Sequence, residues 1–487
     1  MEAALVSAKN WSSGHKAYSV RRSPSYVQFF FVGVALIPLI ILILEVSRYA
    51  VDIPFWDQWN FVPLLGKAFD GQLRASDLWA QHNEHRLLFP RLIMLGLAKL
   101  SGYNICFELG ANILLATGIL ILIIWQFFRS AKALNLKSAP WILPIFSLLV
   151  YSLNQGENWL WGWQIQIFLN VVAVVGGCLL LGNLSERLSW SRLGGAMMTG
   201  LGAVYSFANG LIFWALGLVA LLILQFKTRK EKGTALVVWS LVMASVFLSY
   251  FYRFHFDSPS GEPWAYFLKH PAQYTRYVLQ YLGAAIINYE EYAFLFGLGG
   301  LLFFGGMSAL LWRRRGGLFR PILPFFFLGL YAVGCAMLTG SGRVGFGTVQ
   351  AMSYRYVTFS SLLWVANFVY FLVLLELTPK MLKKRMARVS SRALILFLVF
   401  LLLLGAIRTS YRVGHRVFVS HHRRLAPVYF EFRRNPTPGD ELLFRLYVDA
   451  DYVRQGINIL KKHGLSVFRK PWPRVPSGGG DYSAFLP

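Results

Sequence analysis

Long apolar runs alternate with short basic loops along most of this chain. A helix that crosses a membrane needs roughly 20 predominantly apolar residues, so these runs predict transmembrane helices. The predicted spans are about 27–46, 104–127, 140–153, 164–183, two within 194–225, 235–252, 293–312, 321–339, 358–377 and 393–407. The predicted fold class is therefore an all-α polytopic membrane protein with about eleven transmembrane helices.

Two segments depart from this simple alternation. The apolar region 194–225 is too long for one crossing and is interrupted by the polar sequence SFANG at 206–210, so we predict two helices there. Residues 88–100 are apolar over too short a length to span, and they carry Arg91 and Lys99. We predict an amphipathic helix that lies along the membrane surface or against the bundle.

Composition and charge support the same class. The chain has 487 residues, of which 56% are hydrophobic and only 14% are charged, whereas a soluble domain averages about 25% charged residues. The net charge of +26 would suggest a nucleic-acid partner in a soluble protein. Here Lys and Arg cluster in the short loops between predicted spans, as the positive-inside rule describes, and we expect no nucleic-acid partner.

The same rule predicts the orientation and the domains. Residues 1–26 form a cytoplasmic tail, 27–407 a transmembrane domain with a first outer loop at 48–103, and 408–487 a small extracytoplasmic segment with one helix ending near Gly464. The basic ends indicate a bacterial inner membrane. The three cysteines lie far apart in apolar segments, so they predict neither a disulfide framework nor a metal site.

Polar side chains with potential chemistry lie in the predicted outer loops. The first loop contains Asp57 between Trp56 and Trp59. A carboxylate beside aromatic surface can act as a general base. The alternative is an aromatic belt at the membrane–water boundary that holds one solvated acid.

The same loop contains the sequence HNEHR. On a helix, His82 and His85 would share a face, with Arg86 beside them. The two imidazoles could bind a divalent metal together with Glu84 or Asp57. Alternatively, His and Arg could face a phosphate, or the loop could satisfy its own polar groups.

A third cluster lies between the predicted spans 321–339 and 358–377. It consists of GRVGFG, which contains Arg343, and SYRY, which contains Arg355 and Tyr356. Outer cations run against the positive-inside tendency, and planar guanidinium groups bind phosphate bidentately. The alternative is that these side chains extend to lipid headgroups. Glu157, in the second outer turn, is a further polar candidate.

This arrangement resembles the GT-C superfamily of integral membrane glycosyltransferases, which use polyprenyl-phosphate-linked sugars. The points of similarity are a cytoplasmic N-terminus, a first span, a long outer loop that opens with the acid of FWDQW, surface helices and many later spans. HNEHRLLFPRL and GRVGFG…SYRYVTFS are similar to segments of uncharacterised bacterial membrane proteins grouped with this class. Many members have paired acids in the first loop, whereas Gln58 follows Asp57 here, which argues against a metal-dependent variant.

The resemblance implies inverting transfer of a sugar from a polyprenyl-phosphate donor to a hydroxyl of a glycan, lipid or protein acceptor. Asp57 would be the catalytic base, and Arg343, Arg355 and Arg86 would bind the donor phosphate. No cofactor is expected, and a divalent metal at His82 and His85 stays open. The supporting residues would be His82, Glu84, His85, Trp56, Trp59, Glu157 and Tyr356.

Two other functions fit the same pattern. A flippase or transporter of lipid-linked glycans would line a path through the membrane with polar residues. A glycan polymerase or ligase would place its decisive residues in the later loops, 253–292 and 340–357, and would make Asp57 dispensable.

Overall fold

The computed structural model describes residues 26–136, 139–184, 186–255, 268–313, 317–381, 385–434 and 438–469. Nearly all of the predicted cytoplasmic tail and residues 470–487 lie outside this part of the chain.

Helices account for most of the described residues. The α-helices are α1 (Tyr26–Tyr49), α2 (Gln58–Phe69), α3 (Ala75–Trp79), α4 (Leu88–Ser101), α5 (Ile105–Leu134), α6 (Ile142–Val150), α7 (Gly156–Leu160), α8 (Ile165–Gly182), α9 (Trp190–Val204), α10 (Gly210–Ile223), α11 (Arg229–Phe251), α12 (Pro271–Gly283), α13 (Glu290–Arg313), α14 (Leu323–Arg343), α15 (Val357–Met381), α16 (Arg385–Arg408), α17 (His415–Arg434), α18 (Asp440–Phe444) and α19 (Ala450–His463). A short hairpin is formed by β1 (Gln81–His82) and β2 (His85–Arg86).

Eight helical segments within the described residues are long and apolar enough to cross a membrane. They are α1, α5, α8, α11, α13, α14, α15 and the run that joins α16 to α17. The all-α polytopic class is therefore confirmed, apart from the small hairpin. Each of the eleven predicted segments contains a helix, but α6, α9 and α10 are shorter than this length, so the count of eleven stays a prediction.

The long apolar region 194–225 forms two helices that meet at the polar sequence SFANG. A Cβ atom at Gly210 would lie 2.4 Å from the backbone of Ala203, so only glycine fits where α10 folds back on the end of α9. Asn170 of α8 donates to the carbonyl oxygens of Ala203 (2.9 Å) and Phe207 (3.3 Å). These carbonyl oxygens also accept from the amides of Phe207 and Gly210, so the Asn170 side chain ties α8 to an already hydrogen-bonded turn.

α15 lies at the centre of the bundle and α1 at its edge. In the segment Tyr354–Glu376, 94% of the most apolar stretch is buried, whereas in Gln28–Tyr49 only 17% of it is buried. α15 packs against α13, α14 and α16, and α14 also packs against α8. α15 is therefore the core helix of the bundle.

The helix that begins at Arg385 does not end at the predicted boundary, 408. α16 continues through a π-helical turn, Thr409–Gly414, into α17. A Cβ atom at Gly414 would lie 2.3 Å from the backbone of Leu153, and Ser410 Oγ accepts a bond of 2.9 Å from the Leu153 amide. The π-turn, a form common at sites of function, thus fits the helix against the 152–164 turn.

The C-terminal segment, 438–469, rests on the first loop, residues 50–104. Gly456 of α19 leaves room for the Trp59 ring, and Gly66 of α2 leaves room for Ile459. α19 ends at His463 and is capped by Gly464, whose φ of +62° is left-handed, and the sequence predicts a helix end near this glycine. The segment and the first loop therefore form one packed layer over the end of the bundle.

The segment HNEHR does not form the helix on which His82 and His85 would share a face. Residues 81–86 form an antiparallel hairpin in which His82 pairs with His85. Asn83 adopts a φ of +46°, a conformation that Asn tolerates better than most residues and that tight two-residue hairpin turns require. The two histidines therefore do not share a helix face.

Candidate functional site

Three segments that are distant in sequence meet at one end of the bundle: the first loop, the 152–164 turn and the 343–356 segment. We call this site the three-loop cluster. Arg343 Nη2 contacts both carboxylate oxygens of Glu84, at 2.8 and 3.0 Å. Asn158 Nδ2 donates to the carbonyl oxygen of Arg355 at 3.1 Å. The cluster contains most of the residues that the sequence singled out.

Asp57 precedes α2 and keeps its carboxylate available. The side chain is 26% exposed and does not cap the helix that follows. His82 Nε2 lies 3.8 Å from Asp57 Oδ2, and its ring packs edge-on against Trp163 at 5.0 Å between centroids. A carboxylate beside an imidazole is an arrangement that can accept a proton from a bound hydroxyl.

The turn that presents Asp57 is held by the C-terminal half of the chain. Trp56 adopts a φ of +48°, and its amide donates to the carbonyl oxygen of Leu446 at 2.9 Å. The Arg424 guanidinium lies over the Phe55 ring at 5.0 Å and over the Trp56 ring at 5.9 Å. A non-glycine residue in this conformation costs roughly 1–3 kcal/mol, so such a turn persists only where its surroundings hold it.

Trp59 has a different role from Trp56. Its side chain is buried beneath Gly456 of α19, so it belongs to the packing between the first loop and the C-terminal segment. Its position two residues beyond Asp57 therefore does not make it part of the site surface.

Arg355 has an unfilled hydrogen-bond donor. Its Nε atom is buried without a partner in the part of the chain that the structure describes, and its guanidinium lies over the Tyr356 ring at 5.6 Å. Its charge interacts with those of Glu157 and Asp57, and Glu157 Oε2 is likewise buried with no hydrogen-bond partner among the described residues. Buried polar groups in native proteins are nearly always hydrogen-bonded, so each of these two atoms has room for a water or ligand partner.

A tyrosine network that sequence reasoning missed supports this arginine. Gln350 Nε2 donates to the Tyr356 hydroxyl at 2.9 Å, and the Tyr277 hydroxyl donates to Gln350 Oε1. Tyr281 stacks on Tyr356 at 5.2 Å. Burial raises the pKa of Tyr277, so its hydroxyl stays protonated and can donate. The signal in the sequence is the density of tyrosines in the 253–292 segment.

Arg343 is less available to an anion than Arg355. It forms an ion pair with Glu84, and the two side chains are 33% and 36% exposed. Glu84 lies at the tip of the hairpin, so this pair joins the hairpin to the end of α14. A phosphate would have to displace or share the Glu84 contact.

The guanidinium of Arg86 binds backbone carbonyl oxygens of the scaffold. Its side chain is 4% exposed, and its guanidinium donates to the carbonyl oxygens of Tyr250 (2.6 Å), Trp79 (3.1 Å) and Tyr252. Burial lowers its pKa. These donors hold the hairpin against the end of α11, and the predicted role of Arg86 in donor binding stays a prediction.

His85 is also committed to the scaffold. Its ring stacks on Phe207 at 4.1 Å, and its Nδ1 accepts a bond of 3.2 Å from the Ala208 amide. Burial lowers the pKa of His85 to about 3, so it is neutral and does not offer a cation to a phosphate. No group of three or more His, Cys, Asp or Glu side chains in the described ranges is arranged to hold a metal ion.

A cavity of about 180 Å³ opens beside His82. Its walls include Asn60, Lys67, Arg91 and Trp163, so it combines an aromatic surface with polar groups next to the Asp57–His82 pair. Pockets of this composition suit a small polar ligand.

Comparisons with protein-family models, with curated proteins and with solved structures gave no match. The function therefore has to be argued from the chemistry of the three-loop cluster.

Proposed function

We propose that this chain is a membrane glycosyltransferase that transfers a sugar from a polyprenyl-phosphate donor to an acceptor hydroxyl, with inversion. One observation carries the proposal: the half-buried Arg355 cation, whose buried Nε–H has no partner among the described residues, interacts electrostatically with the partly exposed Asp57 carboxylate. The cation suits an anionic leaving group, and the carboxylate suits a hydroxyl nucleophile.

The reaction divides between these two residues. Asp57 accepts the proton of the acceptor hydroxyl, whose oxygen attacks the anomeric carbon from the side opposite the phosphate. The bond between that carbon and the phosphate oxygen breaks, and the electron pair stays on the lipid phosphate. Arg355 stabilises the charge that grows there, and fixed charges of this kind often supply the largest catalytic term.

Other residues of the cluster assist. His82 orients the Asp57 carboxylate. Tyr356 packs against the Arg355 guanidinium, and Glu157 adds a second negative charge that keeps it in place. The proposal places this end of the bundle on the extracytoplasmic side of a bacterial inner membrane, where polyprenyl-linked sugars diffuse laterally to the cluster.

The first test is binding of undecaprenyl phosphate, measured as thermal stabilisation of the purified protein. Ligand at a hundred times its dissociation constant stabilises a protein by about 2.7 kcal/mol. We expect Arg355→Ala to lose this shift. Arg454→Ala is the matched control, because Arg454 is exposed and pairs with Asp440 and Asp451 away from the cluster. An undiminished shift in Arg355→Ala would contradict the assignment of the phosphate site.

The second test is transfer from a panel of polyprenyl-phosphate sugars, followed as release of the lipid phosphate. Asp57→Asn is expected to slow transfer by roughly 10²–10⁴-fold, because general-base catalysis contributes about that much, while undecaprenyl phosphate still binds. Near-normal transfer by Asp57→Asn would remove Asp57 from the mechanism.

A glycan polymerase or ligase is a second candidate. It is favoured by the Tyr277–Gln350–Tyr356 network, which lies in the later loops beside Arg355. Its chemistry would use Arg355 but not Asp57. The Asp57→Asn variant therefore distinguishes the two functions.

A further inference from the structure

α5 carries two buried polar side chains, one turn apart, at its end nearest the three-loop cluster. Glu108 and Asn112 are 1% and 0% exposed. Residues at i and i+4 lie on the same helix face, so both side chains project toward the same neighbours. A carboxyl group in a membrane span is costly and usually marks function.

Glu108 holds the turn that presents Asp57. Gln58 Nε2 donates to Glu108 Oε2 at 2.6 Å, and Gln58 Oε1 accepts from the Phe55 amide at 3.1 Å. The Gln58 side chain therefore closes residues 55–58 into a fixed loop and ties that loop to α5. A Cβ atom at Gly162 would lie 2.0 Å from Glu108 Oε2, so the 152–164 turn covers this bond.

Asn112 holds the other side of the cluster. Its Nδ2 donates to the carbonyl oxygens of Asn158 (3.1 Å) and Trp161 (3.3 Å). Asn158 in turn donates to the carbonyl oxygen of Arg355 at 3.1 Å and to Thr358 Oγ1 at 2.8 Å. A continuous chain of hydrogen bonds therefore runs from α5 to the backbone of Arg355.

We infer that Glu108 and Asn112 are positioning residues that set the separation between Asp57 and Arg355. Both chains of contacts start from the same turn of α5. That turn therefore fixes the position of the Asp57 carboxylate relative to the Arg355 guanidinium. Trp161 links the two chains directly, because its Nε1 donates to the Phe55 carbonyl oxygen at 2.9 Å. This inference rests on the proposed function, since it assigns the two residues a purpose in that site.

A reciprocal exchange tests the Glu108 contact. Gln58→Glu alone places two carboxyl groups face to face and is expected to reduce transfer at least tenfold, because the pair either repels or has to share one proton, and neither arrangement reproduces the bond from amide to carboxylate. Gln58→Glu combined with Glu108→Gln restores the bond with its direction reversed. The amide introduced on α5 can donate to the carboxylate introduced on the loop, and that carboxylate still accepts from the Phe55 amide. Transfer by the double variant is expected within about threefold of wild type. A double variant as impaired as Gln58→Glu would overturn the inference.

Thiol labelling gives a readout that does not depend on activity. In an Asp57→Cys, Cys106→Ser background, the rate of reaction with a water-soluble maleimide reports the position of residue 57. We expect Gln58→Glu to change this rate at least tenfold and the exchange to restore it. If wild type transfers no sugar but labelling shows this rescue, the proposed function fails and the positioning role stands. If labelling shows no rescue, the positioning role fails.

Asn112 is tested through the affinity for undecaprenyl phosphate. Asn112→Ala is expected to weaken it roughly tenfold, because the backbone of Arg355 loses its link to α5. The matched control is Gln126→Ala, which removes another buried amide of α5 whose partners, Ser130 and Asn183, lie toward the far end of the helix. Equal effects of the two substitutions would reduce Asn112 to a general packing role.

Discussion

The contact between α12 and α13 depends on two glycines that allow their backbones to touch. A Cβ atom at Gly297 would lie 1.8 Å from the carbonyl oxygen of Leu279, and a Cβ atom at Gly283 would lie 1.9 Å from that of Ala293. Small residues at such crossings permit the close packing on which membrane helix association relies. Gly297→Ala therefore forces two backbones apart.

The size of the effect follows from these distances. An ordinary carbon–oxygen contact is about 3.3 Å, so α12 and α13 would have to separate by about 1.5 Å. Overpacking costs roughly 1–3 kcal/mol, and the upper end applies because a backbone carbonyl cannot rotate away. Gly299, on the same helix, is exposed and has nothing within 4 Å of its Cβ position. Gly299→Ala should instead gain about 1 kcal/mol from helix propensity.

Thermal unfolding in detergent measures both variants. Cys178 and Cys335 are buried, so a thiol-reactive fluorophore reports unfolding as these cysteines become accessible. At about 2 °C per kcal/mol for a large protein, Gly297→Ala should lower Tm by roughly 6 °C and Gly299→Ala should raise it by roughly 2 °C. A Tm for Gly297→Ala equal to or above that of Gly299→Ala would refute the packing argument.

Two further predictions concern the scaffold of the hairpin. The folded pKa of His85, about 3, lies below its ordinary value, so the unfolded chain takes up a proton below about pH 6.5 that the folded chain does not. The free energy of unfolding is unaffected by His85 above that pH and decreases by about 2 kcal/mol at pH 5. A series of Tm measurements against pH tests this. The same pH slope for His85→Phe as for wild type would contradict it. Arg86→Met removes the donor from three carbonyl oxygens and should cost about 3 kcal/mol while undecaprenyl phosphate still binds. Lost binding without a lower Tm would instead make Arg86 a phosphate ligand.

The helices could be predicted because their signals are local. An apolar run long enough to cross a membrane has few alternatives to a helix, since its backbone must satisfy its own hydrogen bonds. The interruption at SFANG and the cap at Gly464 are local signals of the same kind, and both coincide with observed helix ends. The helices α6, α9 and α10 form where the sequence predicts them. They are shorter than the other spans, so their length does not decide whether they cross the membrane.

The site could be predicted in part. The alternation of apolar runs and basic loops placed several polar residues in loops on the same side, namely Asp57, Glu84, Arg343 and Arg355. The structure brings these loops into contact. The hairpin could not be predicted from HNEHR alone, because a pair of histidines at this spacing fits either a helix or a tight turn. In the hairpin, the Arg86 guanidinium donates to the carbonyl oxygens of Trp79, Tyr250 and Tyr252. These partners are distant in sequence or in other elements, so the pattern HNEHR does not reveal them.

The sequence by itself determined that this chain is a polytopic helical membrane protein with its polar candidates gathered in a few loops, because apolar length and charge spacing act over tens of residues. Only the tertiary structure decided which polar groups are committed and which are free. Arg86 and His85 bond to distant backbone groups, whereas Arg355 Nε has no partner within the described ranges. Glu108 and Tyr277 gain their roles from contacts across 50 and 73 positions of sequence. Such pairings depend on how helices pack, which no local pattern encodes.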